Sequence, residues 1–279
     1  MKIVRKNTAK GHYYIDEETG ERVKGVTTLL GAGMPKPNLM EWNATATAEY
    51  ALNNWDTLAD LPLADRLKKM SKGRWEGRDA AAARGTAVHA MAERLLADEE
   101  VTVPDGIAGY VDACVNLLDS FAVRPVHVEA IVYSETHRHV GTCDLIADVL
   151  LPDMPEYAEI GRDADGYSRM IADWKTSKSG IFGEVAFQLA AYRHSEWLIP
   201  ADGAEPVEMP EVDFAAGIHL RPNGTYSLVP LATDDDVYRD FLYIAQVARV
   251  MDGVRDLVDD PIVPPTASRY VLAKAEEGS

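Results

Sequence analysis

Residues 168–175 end in Asp173-Trp174-Lys175, and this short alternation constrains the chain more than any other feature. Side chains alternate along a strand, so Asp173 and Lys175 point to one side, about 6.6 Å apart along the chain, while Trp174 points to the other and packs against a helix. A second expected strand, 140–150, carries Asp144 within Gly141-Thr142-Cys143-Asp144. If the two strands are neighbours, about 4.8 Å apart, both carboxylates aim at one point beside an ammonium group. Hard divalent cations take oxygen ligands, and metal-assisted phosphodiester hydrolysis uses such an arrangement. Asp148 shares the face of Asp144 but lies about 13 Å further along, too far to share one ion.

The surrounding pattern sets the fold class. Alternation around Glu18-Thr19-Gly20 predicts a hairpin over 12–23, and a short helix over 26–30 ends at Gly31 and Gly33. Apolar spacing predicts helices over 39–54, 63–72, 79–97 and 107–121, then strands over 126–133, 140–150 and 168–175. A helix over 183–198, a hairpin of strands 212–220 and 225–230, and an amphipathic helix over 234–258 follow. The expected class is α/β: a mixed central sheet flanked by helices, with a helical N-terminal part. The expected organisation is an N-terminal hairpin and helical region (1–72), a core with a C-terminal hairpin and helix (73–260) and a loose tail (261–279).

At 279 residues and 47% hydrophobic, the chain can bury a sizeable core. It has no run of eighteen apolar residues, so no membrane span is expected, and its first residues lack the apolar centre of a signal peptide. Two cysteines, Cys114 and Cys143, provide no disulfide framework and suit a reducing cytoplasm, the expected location. The net charge of −17 argues against a polyanionic partner, because phosphate contacts dominate nucleic-acid affinity. The distribution argues otherwise. Arg66, Lys68, Lys69, Lys72, Arg74, Arg78 and Arg84 meet only Glu76 and Asp79 across the same stretch, directly before His89.

Taken in order, His89 in Arg84-Gly85-Thr86-Ala87-Val88-His89, Gly-x-x-Asp at 141–144, Asp-x-Lys at 173–175 and Gln188-x-x-x-Tyr192 form a specific set. The set resembles the RecB-type branch of the PD-(D/E)xK nucleases, which includes CRISPR-associated and phage exonucleases. The likeness spans roughly residues 73–198 and extends more weakly over 26–52. It implies a restriction-endonuclease-like core in which Asp144, Asp173 and Lys175 are catalytic. It implies further that His89, Asp144, Asp173 and the Trp174 backbone carbonyl hold one or two Mg²⁺ or Mn²⁺ ions; Mn²⁺ tolerates the added imidazole better. Gly85 matches a close approach of the His89 helix to the sheet. Glu93, one turn after His89, could orient it or bind a second ion, and Glu129 resembles an acidic residue often found on the preceding strand, flanked by Val128 and Ala130 facing the other way. The Gln188 amide would donate to a phosphate and the Tyr192 ring would stack on a base, while Arg84, Lys68, Lys69 and Lys72 would guide the DNA backbone.

Several relatives carry an iron–sulfur cluster on four cysteines; two cysteines cannot build one within this chain, so none is expected. The implied activity is a DNA exonuclease leaving 5′-phosphate products in phage-type recombination or repair, beside a single-strand annealing protein or other recombination factor. Two alternatives remain at this level: a catalytically inactive DNA-binding or scaffold protein of the same fold, and a metal-dependent hydrolase acting on a substrate other than nucleic acid.

Overall fold

A computed structural model of the chain describes residues 2–8, 11–73 and 75–262. The expected tail beyond Ile262, and Arg74 of the basic run, lie outside the described residues. Three strands open the chain: β1 (Ile3–Thr8), β2 (Gly11–Asp16) and β3 (Arg22–Gly25). Helices α1 (Val26–Gly33), α2 (Pro37–Asn53), α3 (Trp55–Leu58), α4 (Leu63–Gly73), α5 (Glu76–Leu96) and α6 (Ala108–Ser120) follow. Then come β4 (Arg124–Ser134), β5 (His139–Leu150), β6 (Tyr167–Lys175), α7 (Glu184–Arg193), β7 (Trp197–Ile199), β8 (Val207–Glu208), β9 (Phe214–Leu220), β10 (Tyr226–Leu231) and α8 (Asp235–Gly253). The expected mixed sheet flanked by helices is what forms. Among the described residues, no helix is long and apolar enough to cross a membrane.

β5 organises the sheet. One of its edges pairs antiparallel with β4, and its other edge is divided between two strands. β3 runs parallel to its start, with Lys24 opposite His139 and Gly25 opposite Val140. β6 runs antiparallel to its end, from Leu145 opposite Ala172 to Leu150 opposite Tyr167. No strand among the described residues pairs with 141–144 on that edge. β6 meanwhile continues past β5 and pairs in parallel with β9, Asp173 opposite Gly217 and Lys175 opposite His219. The sheet therefore forks at Asp144.

Two helical layers cover the fork. Val26, Leu29 and Leu30 of α1 share a buried cluster with α7 and with Phe241, Ala245 and Ala248 of α8. Val88 and Ala92 of α5 and Val111 and Leu117 of α6 close the opposite face, where Trp174 is buried. Each apolar side chain so enclosed contributes about 1.5–3 kcal/mol relative to exposure. The hairpin of β1 and β2 joins through β3 and a smaller cluster of Ile3, Tyr14, Val23, Tyr133 and Val140.

The differences from the sequence reading have physical causes. β1 was not anticipated, because Ile3-Val4 followed by Arg5-Lys6-Asn7-Thr8 at a sheet edge shows no alternation of apolar and polar residues. The helix expected over 183–198 stops at Arg193. Trp197-Leu198-Ile199 instead forms β7, its bulky and β-branched side chains pairing with Ile131–Tyr133 of β4 before Pro200. The last helix is regular to Gly253 and then tightens into a 3-10 turn, Val254–Leu257. It starts as expected, with the Asp234 carboxylate accepting the amides of Asp236 and Val237.

His139, at the start of β5, is fully buried; its Nε2 lies 3.1 Å from the Tyr238 hydroxyl and Nδ1 has no hydrogen-bond partner among the described residues. Burial, reinforced by His137, pushes its pKa down to about 3. Between that value and the ordinary 6.5 the unfolded chain binds a proton that the folded chain refuses, so stability present at neutral pH falls as the pH drops below 6.5. Denaturant melts are expected to show about 3 kcal/mol of this loss between pH 6.5 and pH 4 disappearing in His139→Phe. Equal pH slopes for the two proteins would refute the assignment.

Candidate functional site

The site is built at the fork. Asp144 is the last residue of the unpaired stretch of β5, and Asp173 and Lys175 stand where β6 leaves it. The Asp144 carboxylate accepts the Trp174 backbone N–H at 2.9 Å, which ties the two prongs together. Lys175 Nζ donates to Asp173 Oδ2, and Gln188 Nε2 donates to Asp173 Oδ1 at 2.6 Å. His89, on the α5 face turned toward the sheet, sits with Nε2 3.0 Å from the Trp174 carbonyl and Nδ1 3.6 Å from Asp144 Oδ2. An Nε2–H donated to that carbonyl leaves the Nδ1 lone pair facing the carboxylate. Burial holds the His89 pKa below its ordinary value, so the ring stays neutral, as a metal ligand must be.

Glu129 is the residue the sequence undervalued. By the β4–β5 register it stands opposite Asp144, between Val128–Leu145 and Ala130–Cys143. Its φ is +52°, a left-handed conformation that costs a non-glycine residue about 1–3 kcal/mol. That residue turns the strand over. Val128 packs in the α5–α6 layer, whereas Ala130 and Val132 pack in the α1–α7–α8 layer. The expectation that Val128 and Ala130 share one face is corrected accordingly, and the carboxylate of Glu129 is turned into the site. Donor atoms of His89, Glu129 and Asp144 all lie within 4.8 Å of one another, a set that can hold a metal ion.

The electrostatics fit a cation. Burial, then the facing Asp173 carboxylate, pushes the Asp144 pKa well above the carboxylate range. Burial and then Glu93 raise Glu129, whose counter-charge among the described residues is Arg5, at 3.8 Å. Two half-buried carboxylates and a neutral imidazole converging on one point are a donor set that suits a divalent ion.

Other expected roles change. Tyr192 is buried and cannot stack on a base; its ring lies against Gly141, where any Cβ would overlap it. Gln188 is buried too, and its amide is committed to Asp173, with the Tyr192 hydroxyl 3.3 Å away, so it does not reach a phosphate. The pair thus fixes Asp173, and the glycine of the Gly-x-x-Asp stretch is what admits the tyrosine. Asp173, beside the converging set of His89, Glu129 and Asp144, has its oxygens engaged by Lys175 and Gln188, and the Trp174 carbonyl lies 3.0 Å from His89 Nε2. A Cβ at Gly85 would meet Thr176 Oγ1 at an ordinary 3.5 Å, so helix approach there does not demand glycine. Asp148 pairs bidentately with Arg169, away from the site. Glu93 lines the cavity beside His89, Glu129 and Asp144 with an exposed side chain.

That cavity, of about 510 Å³, is roofed by Arg5, His12 and Tyr14 of the N-terminal hairpin, residues without any sequence signal. Tyr14 OH lies 2.8 Å from Thr142 Oγ1, fastening the roof to the fork. The basic run is divided. Arg84 and Arg78 line a groove of about 860 Å³ that reaches His89 and Lys175. Lys68, Lys69 and Lys72 are exposed on α4 and line a separate cavity, meeting the groove at Tyr50 and Gly73. Arg66 is spent on the Leu58, Ala59 and Leu61 carbonyls, where it caps α3. Cys114 and Cys143 are free and buried, and burial pushes the Cys114 thiol up to about 12. Comparison of the chain with protein-family models and with curated proteins finds no match, so the geometry alone carries the functional reading.

Proposed function

We propose that this chain is a Mg²⁺- or Mn²⁺-dependent deoxyribonuclease of the kind its ordered motifs resemble, hydrolysing phosphodiesters to leave 5′-phosphate ends. The carrying observation is the convergence of His89, Glu129 and Asp144 at the fork, with the Asp173–Lys175 pair beside them. A divalent ion held there supplies polarisation of the scissile phosphate and a bound water of lowered pKa.

The chain's own groups do the rest. Lys175, seated over Asp173, presents an ammonium where negative charge grows on the phosphate oxygens. Gln188 and Tyr192 hold Asp173, and hence Lys175, in one position. The Trp174 N–H fixes the Asp144 carboxylate, and neutral His89 offers Nδ1 without repelling a cation. An exonuclease serving phage-type recombination or repair, with a single-strand annealing protein as partner, is the biological setting this reading favours.

The test uses end-labelled linear DNA, single- and double-stranded, with the purified protein. Progressive shortening in Mn²⁺ or Mg²⁺ is expected, halted by EDTA and restored by added metal, from a protein without visible iron–sulfur absorbance. No cleavage of either DNA form with either metal would overturn the catalytic reading; DNA binding surviving alone would favour the scaffold alternative.

A further inference from the structure

The groove leading away from Lys175 has a composition the metal centre does not explain. Arg78, Arg84, Lys175 and Lys178 line it against one carboxylate, Glu49, on a chain whose net charge is −17. Such local reversal of sign marks where a polyanion is admitted. The Arg84 side chain is anchored, its guanidinium 5.7 Å from the Tyr110 ring, yet its buried Nε meets no hydrogen-bond partner among the described residues. Trp42 lines the same groove and is 38% exposed. Behind it the Trp75 ring lies 6.0 Å away, and the Arg78 guanidinium sits 4.1 Å over Trp75. The exposed indole is therefore backed by a ring and a cation, a platform and not a loose side chain.

We propose that this groove is a track for single-stranded DNA, in which a base stacks on Trp42 while Arg78, Arg84 and Lys178 follow the backbone toward Lys175. The assignment rests on the nuclease reading of the metal centre and names its substrate strand. Single strands are preferred for a physical reason. In a duplex both faces of each base are already covered by neighbours, so an exposed indole gains nothing beyond phosphate contacts. An unpaired base has a free face, and stacking it on an aromatic ring adds to the charge interaction regardless of sequence. The tyrosine expected to do this, Tyr192, is buried; Trp42, on α2 and outside the four ordered motifs, takes the role.

The experiment measures anisotropy of a labelled oligothymidine of about 12 nucleotides and of a blunt hairpin duplex, both with wild-type protein in EDTA. The single strand is expected to bind at least about tenfold tighter, and Trp42→Ala to weaken it about tenfold without altering duplex affinity. Trp42→Phe keeps a stacking face and packing on Trp75, so it is expected to retain most of the affinity; Arg78→Gln is expected to flatten the salt slope by about 0.7. Duplex binding equal to single-strand binding, or a folded Trp42→Ala with unchanged affinity, overturns the track. Oligouridine bound better than oligothymidine makes the track one for RNA and overturns it as stated. The two readings fail separately: duplex bound and cut leaves the nuclease standing without the single-strand track, whereas single-strand binding without cleavage in Mn²⁺ removes the nuclease and not the track.

Discussion

Lys175→Ala is expected to lower metal-dependent DNA cleavage by about 10²–10³-fold or more while leaving the melting temperature close to that of the parent. Lys175 stands at the rim, its side chain 31% exposed, so its removal opens no buried cavity. On the proposed nuclease reading, what is lost is a positive charge that would stand beside the phosphate in a partly desolvated pocket, where it is worth far more than in water. Asp144→Asn makes a sharper companion. Burial already holds the Asp144 carboxyl against ionisation, and an Asn side-chain oxygen can still accept the Trp174 amide. The variant is expected to be inactive yet, without metal, at least as stable as the parent, the usual trade between a strained site and stability. Cleavage by Lys175→Ala within about twofold of the parent would remove Lys175 from the chemistry, and a marked loss of metal-free stability in Asp144→Asn would mean that this carboxylate is a structural group.

Gly141→Ala is expected to damage both fold and site. Its Cβ would overlap the Tyr192 ring, which is packed in the α1–α7–α8 cluster and cannot move outward. Overpacking of this kind costs about 1–3 kcal/mol, occasionally more. Because the Tyr192 hydroxyl lies beside the Gln188 amide, and that amide holds Asp173, the displacement reaches the Asp173–Lys175 pair through two contacts. A lowered denaturation midpoint together with lowered cleavage is expected, and Tyr192→Phe, which keeps the ring and loses only the hydroxyl, should separate the two effects. If Gly141→Ala melts and cleaves like the parent, the ring is free to yield and the glycine has no packing role.

Much of the site was legible because its parts obey local rules. The alternation of Asp173, Trp174 and Lys175 put two side chains in the pocket and buried the third under α5 and α6, as a strand must. The i, i+4 spacing of Gln188 and Tyr192 placed both on one helix face. The roles were less legible than the positions. A helix-face Gln and Tyr can face a ligand or the core, and only the closeness of Gly141 to the Tyr192 ring settles it.

What the sequence by itself determined is therefore most of the elements, β1 and β7 excepted, and the facing of many side chains, since periodicity, caps and turns act over a few residues. Tertiary structure alone decided the fork in β5, the left-handed turn at Glu129 that delivers a carboxylate opposite Asp144, and the roof of Arg5, His12 and Tyr14. Each depends on segments far apart in the chain meeting at one sheet edge: β3 reaches β5 across more than a hundred residues, and Tyr14 reaches Thr142 across 128. No local pattern records such a meeting, because it is settled by which pairing buries the most apolar surface while leaving the fewest backbone groups unpaired.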